Sequence, residues 1–553
     1  MGGVVVLYAI LSALPIVVAI VLMVGFKMKS GVSLFAAWLT SLILAVVFWN
    51  MGIDHAGALT ALGFLSAINV ILIVFSAIFL LNALIELKFI ETIGNGFNGI
   101  TKDRRIQILI IAWLFGALIE GAAGFGTPGA LAAPLLVGLG IPVFFAALAS
   151  LMANYSPVLF GAVGIPPVMG FNTIRPGLEA QYGEVLTEAV FMELTTMASL
   201  TSIFVGSFVP FLIIASCVAR DGRKRGLKDA FSIFPLCLFA GIIFTVPTWV
   251  ISHLGPEIPT LMGALIALPT FIFAVKKGFL VPKEVYRFRD DPVVELSEAP
   301  DTGVSLVTAW SPYVIIAVLL AVSRLPWLPF VRLLSHPGVT ITVTDLFGFE
   351  GINWSLPILN NPGLLPFLPV ALIFLVVRKT PGSVISKIFM KTTKQLKNAV
   401  IALLFGVALV QIMRFTDYSN PGAGLEGMTT ELARTLAMSF GAVYPLVAPL
   451  IGSLGAFVSG SHTVSNVMFY SLQVEAAELL GLPIVLVLIG QTSGASIGNM
   501  VAIHNAVSIS ATTGATGSEG KMIAAAFLPF ILCILAIAAI LFLYLIFGVT
   551  WVK

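Results

Sequence analysis

The chain has 553 residues, of which 59% are hydrophobic and only 10% are charged, and its mean hydropathy is +1.06. A soluble domain carries about 25% charged residues, so the composition excludes an ordinary soluble protein and a disordered one. The net charge of +3 is too small and too scattered for a surface that binds nucleic acid phosphates. Lipid must therefore be the solvent for most of the chain.

Long apolar runs predict helices that cross a bilayer. About 20 mostly apolar residues are needed, because roughly 30 Å of hydrocarbon is crossed at about 1.5 Å per residue. The first run lacks a preceding basic stretch and is followed by lysines, so we expect a spanning helix rather than a cleaved signal peptide. We predict an all-α polytopic membrane protein with 12–14 transmembrane helices, because some runs are broken by glycine and polar residues. The candidate runs are 4–24, 32–50, 60–85, 106–119, 141–163, 190–216, 231–251, 259–275, 305–323, 364–378, 398–414, 436–458, 482–498 and 522–547.

Basic residues gather in six clusters, which hold 23 of the 29 lysines and arginines. Positive charge collects on the cytoplasmic side of a membrane protein. The alternation of the clusters predicts that both termini lie on the outer face of the cytoplasmic membrane, with residues 278–304 in a cytoplasmic loop and 325–362 in an outer loop. The clusters are Lys27 and Lys29; Lys88, Lys102, Arg104 and Arg105; Arg220, Arg223, Lys224, Arg225 and Lys228; Lys276, Lys277, Lys283, Arg287 and Arg289; Arg378, Lys379, Lys387, Lys391, Lys394 and Lys397; and Lys521.

Two blocks rich in glycine and polar residues interrupt the apolar sequence, a first polar block at 120–167 and a second polar block at 459–505. Their similar internal spacing predicts a duplication within a single membrane transport domain that spans 1–553. The first repeat would cover 60–216 and the second 364–547. The matched pairs are Thr127 with Thr463, 336 residues apart, and Asn154 with Gln491, 337 residues apart.

Duplicated breaks of this kind are typical of the binding site of a secondary transporter. Unpaired backbone groups cost several kcal/mol each in lipid, so a broken helix persists only where it packs in protein or lines a wet cavity. The N-terminus of a half-helix presents free N–H groups and a positive dipole, which suit a small anion. Packing of helices through small residues is the alternative interpretation. The many serine, threonine and asparagine residues of the second polar block argue against it.

Three ionisable residues of the polar blocks are candidates for carrying a proton. Glu120 ends an apolar run, and an intramembrane carboxylate is costly enough to indicate a function. His462 belongs to the second polar block and can carry a proton or pair with a carboxylate, and His504 is a weaker candidate. The alternatives are structural roles, with Glu120 accepting hydrogen bonds at a broken helix and His462 satisfied by backbone carbonyls. Arg414 could bind a carboxylate in a bidentate manner, or extend its charged end to the membrane surface.

Enzyme and cofactor motifs are weak or absent in the sequence. Ser496 lies in a GxSxG pattern, but a hydrolase elbow needs a strand before it and a helix after it in a soluble sheet. The sequence contains no GxxxxGK[ST] loop and no HExxH motif. Cys217, Cys237 and Cys533 lie in apolar runs without metal-binding spacing, so we expect buried thiols. We therefore expect no enzyme activity, no metal and no cofactor.

Four stretches of the sequence together resemble the L-lactate permease family: EGAAGFGTP at 120–128, SPVLFGAVGIP at 156–166, SGSHTVSN at 459–466 and GASIGNMVAIHN at 494–505. The resemblance runs from about residue 5 to residue 548. It implies a symporter that imports L-lactate, and also D-lactate and glycolate, with protons across the cytoplasmic membrane. It also implies two inverted repeats with broken or re-entrant helical hairpins, as in the ion-transporter superfamily. The chain departs from the family pattern at His462, where members have an acid, at Val464, where they have a hydroxyl residue, and at Asn499, where some have lysine.

The sequence thus predicts that a small 2-hydroxy monocarboxylate binds between the two polar blocks with a proton on Glu120, His462 or His504. A passive channel for monocarboxylates or other anions, and more remotely an intramembrane serine hydrolase, are the alternatives. The residues predicted to bind substrate are Gly124, Gly126, Thr127, Asn154, Ser461, His462, Thr463, Ser465, Asn466, Thr492, Ser493, Asn499 and Arg414.

Overall fold

The computed structural model is mostly helical. It describes residues 2–26, 28–97, 99–124, 126–222, 226–291, 302–324, 328–334, 336–349, 352–416, 426–515 and 517–549. Four residues of the basic clusters lie outside the described residues: Lys27, Arg223, Lys224 and Arg225. Residues 292–301 of the predicted cytoplasmic loop also lie outside them. The helices through the first polar block are α1 (Gly2–Ile20), α2 (Ser30–Phe48), α3 (Ile53–Glu86), α4 (Phe89–Asn95), α5 (Arg104–Ile108), α6 (Gly116–Ala122), α7 (Thr127–Gly138), α8 (Val143–Ala153) and α9 (Gly161–Tyr182).

The remainder of the described chain is also built from helices, apart from one antiparallel β-hairpin in the predicted outer loop. In that hairpin, β1 (Thr340–Val343) pairs with β2 (Trp354–Pro357). The helices that follow the first polar block are α10 (Glu184–Gly206), α11 (Val209–Val218), α12 (Leu227–Phe231), α13 (Phe234–Ser252), α14 (Pro259–Lys276), α15 (Leu306–Arg324), α16 (Phe330–Leu334), α17 (Leu368–Val377) and α18 (Gly382–Arg414). The last helices are α19 (Met428–Phe440), α20 (Tyr444–Ser459), α21 (His462–Leu480), α22 (Ile484–Gly498), α23 (Ile503–Thr513) and α24 (Glu519–Phe547).

Twelve helical segments among the described residues are long and apolar enough to cross a bilayer, so the predicted class and number of spans are confirmed. The span at Arg104–Ala122, in which a π-helical stretch joins α5 to α6, is completely buried inside the protein. Three predicted runs are not single helices: 190–216 covers parts of α10 and α11, 436–458 covers parts of α19 and α20, and 141–163 contains the end of α8. Helix α8 ends at Ala153, and the long segment that follows the break is Pro157–Tyr182.

The first polar block contains two breaks. Between α6 and α7 the backbone turns at Gly124 and Gly126, which have φ values of 58° and 76°. Between α8 and α9 a short 3-10 turn at Pro157–Phe160 leads into left-handed backbone at 162–164. The two breaks touch, because a Cβ on Gly124 would lie 2.7 Å from the Cβ of Ala162. Glycine at 124 therefore allows one break to cross over the other.

The second polar block also contains two breaks. Helix α20 ends at Gly460, with φ 72°, and Ser461 begins α21. Helix α22 ends in a 3-10 turn at Asn499–Val501, and α23 begins at Ile503. Gln491, which the sequence spacing pairs with Asn154, lies inside α22. The second break of this block therefore begins at Asn499 and not at Gln491.

Four of the six basic clusters contact one another at one face of the helix bundle, which we call the basic face. Arg104 forms a two-pronged ion pair with Asp291, with distances of 2.7 and 2.8 Å. Arg105 donates to the carbonyl oxygen of Asp229, and the guanidinium group of Arg378 lies over the ring of Phe89, 5.3 Å from its centroid. This clustering is what the charge pattern predicts. The assignment of the basic face to the cytoplasm stays a prediction.

The two polar blocks run in opposite directions across the bundle. Arg104 donates to the carbonyl of Leu139 at 2.7 Å, so α7 ends at the basic face. Helix α8 starts from that face, and α9 continues away from it to Gln181, which hydrogen-bonds Glu478 near the end of α21. Helix α21 thus ends at the opposite face. The inverted repeats, with boundaries at 60–216 and 364–547, stay a prediction.

Candidate functional site

A cavity of about 370 Å³ lies where the breaks of both polar blocks meet. The first polar block lines it with Glu120, Gly126, Thr127, Ala130, Asn154, Val158, Gly161, Ala162 and Pro166. The second polar block and α23 line it with Ser459, Gly460, Ser461, His462, Thr463, Val464, Asn499, His504, Asn505 and Ser508. Helices α2, α3 and α18 complete the wall with Ser30, Ile78, Gln395, Leu396, Asn398, Ala399, Ala402 and Leu403.

Glu120 is the acidic residue of the cavity wall. It is 1% exposed, and its Oε2 atom has no hydrogen-bond partner among the described residues. The side chain packs against Gly161 at the second break, where a Cβ would lie 2.3 Å from Oε1. Glycine at 161 therefore makes room for the carboxyl group. Asn154, also buried, has an Oδ1 atom without a partner in the same part of the described structure.

The start of α21 supplies backbone donors to the cavity wall. The Ser461 hydroxyl accepts from the amide of Val464 at 3.3 Å and thereby caps the helix. The amides of His462 and Thr463 belong to the first turn, which has no intrahelical acceptors. The start of α7 offers fewer free backbone donors. The Thr127 amide already donates to the carbonyl oxygen of Gly124 at 3.1 Å, and the next residue, Pro128, has no N–H group.

His462 is held by hydrogen bonds on both ring nitrogens. Its Nδ1 atom lies 3.0 Å from the carbonyl oxygen of Val158, so Nδ1 must carry the hydrogen and donate. Its Nε2 atom lies 3.0 Å from the Thr492 hydroxyl and 3.1 Å from the Asn466 amide nitrogen. Because Val158 belongs to the first polar block, His462 joins the two blocks across the cavity. This geometry matches the structural role that the sequence left open for the histidine.

Replacing His462 with alanine is expected to lower the free energy of unfolding by about 2 kcal/mol, because the buried Val158 carbonyl and Thr492 hydroxyl lose a partner. Asparagine at the same position should recover part of the loss, since its amide can donate to Val158. Thermal unfolding in detergent measures both effects. His253→Ala, at an exposed histidine, is the matched control, and an equal shift for both alanine variants would contradict the proposed link between the blocks.

His504 and its neighbours form the part of the cavity wall that follows the break at Asn499–Val501. The Asn505 amide donates to the side-chain oxygen of Asn499 at 3.1 Å, which closes the turn between α22 and α23. His504 packs on Gly460, where a Cβ would lie 2.7 Å from the Cβ of His504. The Nδ1 atom of His504 has no partner among the described residues. A second titratable ring therefore stands in the wall beside the break at Ser461.

Nine of the residues predicted to bind substrate or protons line the cavity: Glu120, Gly126, Thr127, Asn154, Ser461, His462, Thr463, Asn499 and His504. The others lie elsewhere. Ser465, Asn466 and Thr492 are buried behind the wall, where Asn466 donates to the carbonyl of Pro166 and Ser465 to that of Gly452. Gly124 lies where the two breaks of the first polar block contact each other. Ser493 is buried within α22. Arg414 lies eleven residues, about 16 Å, beyond Leu403 along α18.

The contribution of α18 to the cavity wall was not predicted from the sequence. Gln395 lies among the lysines at 387–397, which the charge pattern assigns to a cytoplasmic cluster, and Asn398 directly follows them. The helix is 33 residues long, about 50 Å, so it carries both the lysines and a wall of the cavity. Asn398 donates to the Ser30 hydroxyl at 3.1 Å. The uncharged polar residues Gln395 and Asn398, in and beside a basic stretch, were the available signal that α18 lines the cavity.

A family model described as L-lactate permease matches residues 8–547. The chain belongs to the L-lactate permease family. An L-lactate permease of Bacillus subtilis is 28% identical over 94% of this chain and 93% of its own length. A glycolate permease of Escherichia coli is 28% identical over 93% of this chain and 92% of its own length. The solved YdaH transporter of Alcanivorax borkumensis superposes on 95% of this chain and 99% of its own, with a TM-score of 0.47 and 12% identity.

This member of the L-lactate permease family is a multi-pass membrane transporter, and its relatives are named as permeases rather than enzymes. Ser496 of the GxSxG pattern donates its hydroxyl to the carbonyl of Tyr155 at 2.6 Å, inside the continuous helix α22. The three cysteines are free and buried. Within the described residues, no group of three His, Cys, Asp or Glu side chains could hold a metal ion.

Proposed function

We propose that this protein imports L-lactate, and also D-lactate and glycolate, together with a proton across the cytoplasmic membrane, with both termini outside. The family supports the class of substrate, because relatives are named as L-lactate and glycolate permeases. The observation that carries the proposal is the cavity between the two polar blocks. It combines hydrogen-bonding groups suited to a hydroxy acid with one buried carboxyl group.

The carboxylate of the substrate binds at the start of α21. There the amides of His462 and Thr463 and the positive end of the helix dipole favour an anion. The 2-hydroxyl group hydrogen-bonds the side chains of Asn154, Ser461 or Asn499, which belong to the same cavity wall. Thr127 adds a hydroxyl group at the opposite half-helix. These groups replace the water that the substrate loses on entry.

The proton of the loaded carrier resides on Glu120. Moving one net charge across the membrane costs about 2.3 kcal/mol per 100 mV, and a proton bound with the anion removes that cost. Among the described residues that line the cavity, none is a lysine or arginine, so no fixed cation of the wall balances the charge of the substrate. His504 is the second candidate, because both ring nitrogens of His462 are already hydrogen-bonded.

Transport proceeds by alternating access. Gln395 and Ser508 are exposed residues at the edge of the cavity. Gln395 lies between Lys394 and Lys397, which belong to the same basic cluster as Arg378 at the basic face. This supports a state open to the cytoplasm. To open outward, the polar blocks must move relative to α18, carrying the substrate and the proton together.

Uptake of labelled lactate into proteoliposomes tests the proposal. We expect accumulation driven by an inward proton gradient, saturation with concentration, and competition by glycolate. Uptake driven by a sodium gradient and insensitive to pH would refute proton coupling. Passive flux that neither saturates nor accumulates lactate uphill would favour the channel alternative. Liposomes without protein are the control for diffusion of the protonated acid.

A further inference from the structure

The face that α18 turns to the cavity changes from polar to apolar along the helix. Gln395 and Asn398 are the polar wall residues of α18, and beyond Asn398 the wall residues are apolar. Leu396, Ala399 and Ala402 are spaced three residues apart and so share one face. Leu403 extends the same apolar surface. Most of the polar side chains in the cavity wall belong to the broken helices. The apolar surface of α18 is therefore left for the carbon chain of the substrate.

The cavity is larger than its smallest expected substrates. At roughly 30 Å³ for each water-sized volume, about 370 Å³ has room for about twelve such volumes, and lactate has about half that number of heavy atoms. Two small residues leave this room beside α18: Ala402, which is 3% exposed, and Ala399, which is half-buried. A larger side chain at either position would project into the space.

We propose that Ala399 and Ala402 determine how long an alkyl tail the site accepts, and that unbranched 2-hydroxy acids of four and five carbons are also substrates. This inference rests on the proposed function and extends its substrate class. Each further methylene group that is buried against α18 should tighten binding about fourfold, the equivalent of about 0.8 kcal/mol. Glycolate, which has no tail, gains nothing from this surface.

Competition with labelled glycolate uptake in proteoliposomes tests the substrate class. We expect 2-hydroxybutyrate and 2-hydroxyvalerate to inhibit at lower concentrations than lactate, with inhibition constants falling about fourfold for each methylene group. Counterflow then verifies that the longer acids are carried. If lactate and glycolate are transported but neither longer acid competes, the inference is overturned and the proposed function stands. If no hydroxy acid is transported at all, the proposed function fails and this inference fails with it.

Substitutions on α18 test the residues. Ala402→Leu should raise the ratio of the inhibition constant of 2-hydroxyvalerate to that of glycolate by about tenfold, because leucine fills the space for the tail by about three heavy atoms. Ala399→Val is a second, smaller change at a half-buried position, expected to shift the ratio in the same direction. Val400→Leu, next to the cavity face but not in its wall, is the control and should leave the ratio unchanged. An equal change for both acids in Ala402→Leu and Ala399→Val would overturn the assignment.

Discussion

Glu120→Gln is expected to abolish accumulation of lactate driven by a proton gradient while leaving exchange of internal for external lactate. Glutamine keeps the size of the side chain and one acceptor oxygen but cannot take up and release a proton. The carrier would then move the anion with its charge, at a cost of about 2.3 kcal/mol per 100 mV. At a membrane potential of about 100 mV, inside negative, this corresponds to a roughly 40-fold loss of accumulation.

The measurement compares proton-driven uptake with lactate counterflow in the same proteoliposomes. Glu184→Gln, at an exposed carboxylate in the first turn of α10, is the matched control and should retain both activities. If Glu120→Gln still accumulates lactate in response to a proton gradient, another group carries the proton, and His504→Gln becomes the next variant to measure. Loss of counterflow together with accumulation would instead assign Glu120 to substrate binding.

Gly494→Ala is expected to produce the largest loss of stability. A Cβ at this position would lie 2.1 Å from the carbonyl oxygen of Pro449, so α20 and α22 would have to move apart. Alanine is intrinsically better than glycine inside a helix by about 1 kcal/mol, and the clash must outweigh that gain. We expect a net loss on the order of 3 kcal/mol. Because both helices end at breaks of the second polar block, transport should fall with stability.

Thermal unfolding in detergent and transport measure this prediction together. Gly57→Ala, at an exposed glycine of α3 with no atom within 4 Å of its added Cβ, is the control and should be neutral or slightly stabilising. A Gly494→Ala protein as stable as Gly57→Ala would mean that α20 and α22 do not approach as closely as the structure has them.

The positions of the breaks could be predicted because lipid penalises unpaired backbone. Gly124, Gly126 and Gly460 stand where the backbone adopts positive φ, and hydropathy marks the helices around them. The spacing that pairs Asn154 with Gln491 does not locate a break, because Gln491 lies inside α22. Equal spacing along the chain does not fix where a helix ends, and α22 continues to Gly498 because its buried face packs on α20 through Gly494 and Gly498.

The separation of wall residues from supporting residues required the structure. Thr463 and Ser465 differ by only two positions, yet one lines the cavity and the other donates to the carbonyl of Gly452. Helical geometry turns them to different sides, and the sequence does not say which side meets the cavity. The wall from α18 is a long-range contact, and Ala399 and Ala402 carry no polar signal by which a sequence could reveal it.

Protection of introduced cysteines by substrate, with one cysteine in each polar block, tests whether the two blocks form one binding cavity. The native Cys217, Cys237 and Cys533 are at most 2% exposed, so the unmodified protein should give little background. Thr127→Cys and Ser461→Cys are expected to react with a small polar thiol reagent, and lactate should slow both reactions. Ser439→Cys, exposed on α19, is the control and should react at the same rate with and without lactate. Protection of only one block, or of neither, would contradict a shared binding cavity.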